Sequence, residues 1–225
     1  MGSEMCIRDR QMVWVGWPGA DRPDDDAAAA AVSSALRARG CEPVFLPRDV
    51  QALFYTGLCN GLLWPMLHSL LSPLTQHAAL DTSDAQWRAY VDANCRFVDA
   101  TLAVLRPGDV VWVHDFHLML APQMLRARAP AGTKIGWFLH TPFPAPEVFR
   151  TLPMRAQLLH GLLGADVLGF QTPDSVTHFR AACTRTLGSA AHSSADVRRL
   201  LYAPPAPLPT AVSYTHLRAH ETDSY

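Results

Sequence analysis

Short apolar runs of strand length alternate with amphipathic stretches of helix length along most of the chain. Two of the apolar runs each end on a polar cluster. Asp109-Val-Val-Trp-Val113 runs into His114-Asp115-Phe116-His117, and Lys134-Ile-Gly-Trp-Phe-Leu139 into His140-Thr141-Pro142-Phe143-Pro144. A helix-like stretch, Leu118 to Ala129, lies between them. Strands joined by a helix in a βαβ unit run parallel, so both clusters belong on one carboxyl edge of a sheet. That edge is where open α/β sheets bind ligands.

The alternation extends to both sides. Asp24-Asp25-Asp26 precede the alanine-rich Ala27 to Arg39, and Gly40 follows. An acidic start, a basic end and a trailing glycine mark a helix, so the triple aspartate reads as a helix start before a metal site. Pro43-Val-Phe-Leu46 reads as a short buried strand. A long helix is predicted from a Ser83 or Asp84 cap to the break at Arg106-Pro107-Gly108, with Trp87, Val91, Val98, Leu102 and Leu105 as its core stripe. Met154 to Leu163 is helical and Val167-Leu-Gly-Phe170 a strand. Thr172-Pro173-Asp174 then starts a helix toward Leu187-Gly188, with threonine as cap and proline at the first helical position. The pattern predicts an α/β fold with a parallel sheet flanked by helices.

Composition narrows the function classes. The 225 residues carry 19 basic and 20 acidic side chains with no basic block, which argues against nucleic acid or an anionic membrane as partner. Five scattered cysteines (Cys6, Cys41, Cys59, Cys95, Cys183) include no C-x-x-C pair and fit a reducing compartment. The uncharged stretch Leu53 to Leu74 contains Gly57, Asn60, Gly61, Pro65, His68 and Pro73, and reads as buried, ligand-lining chain before a membrane span. No signal peptide is evident. The aperiodic ends, MGSEMCIRDR and VSYTHLRAHETDSY, resemble translated adaptor sequence. The expected organisation is a non-native segment over 1–11, one partial domain over 12–205, and a proline-rich end with a non-native tail over 206–225.

The candidate chemistry sits in the polar clusters. Asp115 can accept two sugar hydroxyls, bind a metal, act as a base, or cap the helix that follows. His114 and His117 invite a metal reading with Asp115 and His140, but an i, i+3 pair at a strand-to-helix turn need not converge, and a sugar or phosphate site ranks above it. His117 by itself reads as structural. His140, held before the proline-rich turn Pro142-Phe-Pro-Ala-Pro146, can donate to a ligand hydroxyl or bond a nearby carbonyl. Tyr55 and Trp64 can stack on sugar faces or pack in the core. Arg150 and Arg155 can meet a phosphate or lie solvated. No G-x-G-x-x-G, Walker loop or G-x-S-x-G elbow is present, and the spacing of Asp115 and Glu147 establishes no glycosidase pair.

Three stretches closely resemble the trehalose-6-phosphate synthase family of retaining glycosyltransferases: Phe54 to Pro65, Val111 to Leu120 and Ile135 to Pro144. Phe149 to Pro153, running on to Gly161 through Phe170, and the tryptophan-rich Trp14-Val-Gly-Trp-Pro-Gly19 are similar to it as well, with Phe116 where the family often has tyrosine. The resemblance implies a partial Rossmann-like N-terminal domain of the GT-B type, with the first strand and the second Rossmann domain missing. It implies transfer of glucose from UDP-glucose to glucose 6-phosphate, giving trehalose 6-phosphate and UDP, without cofactor or metal. In that family Tyr55, Trp64 and Asp115 match acceptor positions, and His140 matches the histidine beside the transferred glucose. Asp115 and His140 are thus the expected catalytic residues. The fragment alone is expected to be inactive and of doubtful independent stability. A cytoplasmic protein is implied, with a homo-oligomeric parent left open. The alternatives are a synthase-like regulatory protein without catalysis, a glucosylglycerol-phosphate synthase of the same fold, and a metal-dependent hydrolase.

Overall fold

A computed structural model gives the fold of residues 12–20, 22–70 and 84–188, together with the backbone of 200–202. The two expected non-native ends, the Ser83 cap and the last residues of the uncharged stretch lie outside these residues.

Four strands form one parallel sheet in the order β3 (Val110–His114), β4 (Lys134–Phe138), β5 (Val167–Phe170) and β6 (Leu200–Tyr202). Two short strands, β1 (Trp14–Gly16) and β2 (Cys41–Pro43), pair in parallel as a separate sheet. The second of these starts earlier than the sequence predicts: Val44 and Leu46 are buried, but they follow the strand. In the larger sheet His114 lies opposite Phe138, so the polar clusters after β3 and β4 emerge side by side on one carboxyl edge.

Helices cover the sheets. α1 (Asp26–Arg37) starts as its aspartates predict, with the Asp25 carboxylate accepting from the Ala28 N–H. A short α2 (Arg48–Gln51) leads into a π-helix, Ala52–Leu63, and then into α3 (Trp64–Leu67). The long α4 (Asp84–Val104) follows. Beyond it come α5 (Ala121–Arg128), α6 (Pro146–Phe149), α7 (Arg155–Leu162) and α8 (Pro173–Leu187). The helices pack in succession: the π-helix on α4, α4 on α5, α5 on α7 and α7 on α8. Thr172 caps α8 as expected, its hydroxyl accepting from the Ser175 N–H.

Two details set the position of the site. The Gly161 and Gly164 hydrogens face backbone, since a Cβ on Gly161 would lie 2.3 Å from the Met119 carbonyl oxygen and one on Gly164 2.4 Å from Gln123 Cα. These glycines let α7 press against the chain just after the first polar cluster. The opposite, amino end of the sheet is braced by Asp166, which accepts from the Ile135 N–H at 2.8 Å and pairs with Arg126 at 2.5 Å.

Burial is uneven at β3 and α4. The apolar β3 is an edge strand of its sheet, so Val110 and Trp112 are exposed, the indole at 50 %. On α4 the buried face is Ala89, Tyr90, Ala93, Asn94 and Val98; of the predicted stripe, Val98 is buried, Trp87, Val91 and Leu102 are partly buried and pack against the core, and Leu105 falls beyond the helix.

Candidate active site

The turn after β3 is strained and heavily braced. Asp115 has φ 70° and ψ 174°, a backbone region that side-chain-bearing residues rarely adopt, at a typical cost of about 1–3 kcal/mol. Such a conformation persists only when its surroundings impose it. Here the Asp115 N–H donates to the Phe138 carbonyl at 2.7 Å, and the Asp115 carbonyl accepts from the Trp137 indole N–H at 3.1 Å.

From below, two fully buried side chains of α4 hold the next residues. The Tyr90 hydroxyl donates to the Phe116 carbonyl at 2.7 Å and accepts from the Met119 N–H at 3.1 Å. The Asn94 amide donates to the His117 carbonyl at 3.1 Å, and its oxygen accepts from the Leu120 N–H at 3.2 Å. Burial holds the Tyr90 hydroxyl well above its ordinary pKa, so it remains a donor. Sequence reasoning missed both residues. The available signal was a polar asparagine in the middle of an amphipathic helix.

The capping reading of Asp115 is overturned. The following turn is a 3-10 segment, Phe116–Leu118, with no side-chain cap, and α5 starts only at Ala121. The Asp115 Oδ1 atom is buried and has no hydrogen-bond partner among the described residues. Its other oxygen lies 3.9 Å from His117 Nδ1, too far for a hydrogen bond. A fully formed turn thus holds Asp115 Oδ1 buried without a protein donor among the described residues. The Trp17 indole N–H and the Thr141 hydroxyl are buried and unpartnered in the same way, and neither was singled out from sequence.

The two histidines beside Asp115 face different partners. His117 stacks between Phe116, at 4.1 Å between centroids, and Tyr55, at 5.7 Å. Burial lowers its pKa, and the nearby Asp115 charge only partly opposes this. The structural reading of His117 therefore stands. His114 turns to the other cluster, its Nδ1 lying 3.0 Å from His140 Nε2. No three His, Cys, Asp or Glu side chains converge on a metal-binding position among the described residues, so the arrangement required by the metal reading is not formed there.

The turn after β4 is held differently. The Leu139 N–H donates to the Gly169 carbonyl, the Phe143 N–H to the Ser175 hydroxyl, and Phe143 is buried against Phe149, Phe170 and Phe179. His140 itself is exposed, its ring edge-on to Phe138.

Tyr55 and Trp64 stand on the π-helix side. An i→i+5 helix turns once in about 4.4 residues, so the nine-residue step from Tyr55 to Trp64 is close to two turns and leaves both on one face. In an α-helix, at about 3.6 residues per turn, they would point to opposite sides. The burial follows the wider winding: Phe54, Leu58 with Cys59, and Leu62 with Leu63 face the core, while Tyr55, Asn60 and Trp64 face out. Tyr55 is 37 % exposed and touches Trp17 and His117; Trp64 is 43 % exposed and lies on His68 at 4.1 Å. The structure therefore joins Tyr55 with Asp115 through His117, joins His140 to Asp115 through His114, and sets Trp64 farther along the face that carries Tyr55.

Two further candidates, Glu147 and Arg155, already have protein partners. Glu147 pairs with Arg185, which holds its carboxyl below the usual range, a poor state for a glycosidase acid. Arg155 donates to the Leu152 carbonyl.

Comparison with known proteins decides the family. The profile of Glycosyltransferase family 20 matches residues 3–202. The chain belongs to that family. It is 43 % identical over 183 residues to alpha,alpha-trehalose-phosphate synthase [UDP-forming] 1 of Arabidopsis thaliana, covering 81 % of this chain and 19 % of that protein. A solved alpha,alpha-trehalose-phosphate synthase (UDP-forming) from Burkholderia vietnamiensis superposes with a TM-score of 0.67 at 29 % identity, over 80 % of this chain and 39 % of that one. One from Burkholderia xenovorans, solved in complex with glucose-6-phosphate, gives 0.59 at 28 %, over 78 % and 43 %. The chain thus spans about a fifth of its Arabidopsis relative and under half of each solved structure. Its α/β architecture, with parallel sheets flanked by helices, is that of the GT-B trehalose-phosphate synthases.

Proposed function

We propose that the chain is the acceptor-side part of a UDP-forming trehalose-phosphate synthase, which transfers glucose from UDP-glucose to glucose 6-phosphate and releases trehalose 6-phosphate and UDP. The observation that carries this reading is the buried Asp115 Oδ1, unpartnered on a turn that the fold goes to some length to strain and brace. A carboxylate so placed accepts from sugar hydroxyls, and no reorganisation is needed when they arrive. Tyr55 and Trp64 offer aromatic surface to the acceptor from one helix face. His140, on the neighbouring strand end, faces the transferred glucose.

Chemistry in such a site is mainly positioning, with the departing UDP phosphate helping to deprotonate the acceptor hydroxyl. Such chemistry needs no pair of catalytic carboxylates. Four free thiols at Cys41, Cys59, Cys95 and Cys183 fit a cytoplasmic location. No helix among the described residues is long and apolar enough to cross a membrane.

The test uses the full-length protein that contains this chain, incubated with UDP-glucose and glucose 6-phosphate. Formation of trehalose 6-phosphate with equimolar UDP is expected. Asp115→Asn, which removes the charge from the acceptor's hydrogen bonds, should lower kcat/KM by roughly 10- to 100-fold, about 1.5–3 kcal/mol. No product from the full-length protein would overturn the reading. The 225-residue chain by itself should give no turnover.

A further inference from the structure

The contact between the two strand ends assigns a role to a residue that neither strand cluster revealed by sequence. His114 ends β3 and His140 follows β4, and their rings meet through His114 Nδ1 and His140 Nε2 at 3.0 Å. The centroids are 5.2 Å apart with 32° between the planes, so this is an edge contact and not a stack. Two neutral imidazoles can share this contact in only two ways. One nitrogen carries the hydrogen and the other offers its lone pair, so the tautomer of one ring dictates that of the other.

The bridge also decides which atom His140 can present to a ligand. With Nε2 committed to His114, only Nδ1 remains. We propose that His114 is the positioning residue for His140: the His114 Nδ1–H donates to His140 Nε2, which fixes the ring and leaves the His140 Nδ1–H as the donor offered to a hydroxyl of the transferred sugar. This deepens the synthase reading given above and rests on it for the identity of that sugar.

The surroundings support this assignment. Phe138 packs edge-on to the His140 ring at 4.8 Å, and Trp112 lies 6.4 Å from the His114 ring, so an aromatic ring flanks each histidine and restricts its orientation. The charged or titratable groups acting on His114 are His140 and Asp115. Burial, reinforced by any positive charge on His140, lowers the His114 pKa, and Asp115 opposes this only in part. A first proton on the pair leaves a bridge possible, because one bridging nitrogen can still offer its lone pair. A second does not, because both bridging nitrogens would then carry hydrogen.

The test combines two variants in the full-length protein with a readout independent of turnover. His114→Asn places an amide near the position of the lost Nδ1 and keeps a donor for His140. His114→Leu removes it. His114→Leu is expected to lower kcat by roughly 10- to 100-fold, as misplacing a reacting contact by about 1 Å does. KM for glucose 6-phosphate should stay within about twofold, and the acid limb of the kcat profile should move. His114→Asn should recover most of the loss. Wild-type kcat and pH profile in His114→Leu, or no recovery in His114→Asn, would overturn the proposal.

Ring-nitrogen NMR of histidine-labelled protein supplies the other arm. His140 should carry its hydrogen on Nδ1 near neutral pH, and His114→Leu should abolish that preference. An unchanged tautomer would overturn the bridge even if the enzyme were active. If the protein makes no trehalose 6-phosphate, the synthase reading fails while the NMR arm still decides whether His114 positions His140.

Discussion

The turns after β3 and β4 lie side by side on one sheet edge and are built on opposite principles. The Asp115 turn carries backbone strain and is held by buried polar side chains, Tyr90 and Asn94 from beneath and Trp137 from the neighbouring strand. The His140 turn contains no positive-φ residue; prolines, the buried Phe143 and the Ser175 hydroxyl shape it. An unpartnered buried carboxylate is useful only if it is fixed in direction, and a network of hydrogen bonds fixes direction better than apolar contact, which is non-directional. His140 takes its direction from another side chain, His114, and its loop needs only to stay in place.

The largest break in that contrast should come from Asn94. Replacing it by alanine leaves the buried Leu120 N–H and the His117 carbonyl without this partner, at about 1–3 kcal/mol for each lost group. Asn94→Ala is therefore expected to lower unfolding free energy by roughly 3 kcal/mol in urea, with the Asp115 turn released. A loss below about 1 kcal/mol would mean that the strain at Asp115 is imposed from elsewhere.

Asp115→Gly separates strain from function with a smaller and opposite effect on stability. Glycine adopts φ 70°, ψ 174° without the penalty an aspartate bears. The glycine variant should gain about 1 kcal/mol of stability while losing affinity for glucose 6-phosphate. A variant less stable than the parent would show that the Asp115 carboxylate holds the fold together, and would remove the main support for its role toward a ligand.

Legibility in the sequence followed the same divide. The alternation of strand and helix patterns, the shared edge of the two clusters, and the α1 and α8 caps were all readable because each rests on local chemistry. The strain at Asp115 was not, since no residue type announces a positive φ outside glycine, and capping looked as good on paper. The stretch from Ala52 to Leu63 resisted reading for a different reason. Its core residues recur every four to five positions, a period that templates for α-helices and strands do not contain, so Tyr55 and Trp64 could not be placed on one face. On α4 the hydrophobic stripe pointed at Trp87 and Val91, whereas the helix is rotated to bury Tyr90 and Asn94. Hydrophobicity alone ranks an asparagine as outward-facing, and only its partners in the β3 turn reverse that.

The smallest expected effect concerns pH and again sets the two turns apart. Burial lowers the pKa of His117, beneath the Asp115 turn, so the folded state holds its ring neutral at pH values where the unfolded chain takes up a proton. Below the ordinary histidine pKa of about 6.5 the unfolded state therefore binds more protons, and stability must fall as pH falls. Above that range the group contributes no slope. The urea midpoint is expected to be flat from about pH 8 to about pH 7 and to decline toward about pH 5.5. His117→Phe keeps an aromatic ring between Phe116 and Tyr55 and removes the titration, so its decline should be shallower, leaving the portion due to His114, whose pKa burial also lowers. If His117→Phe declines as steeply as the parent, the acid sensitivity belongs to His114 at the end of β3. If neither protein declines, the ring beneath Asp115 protonates in the folded state as readily as in water, and the turn is looser than its hydrogen bonds require.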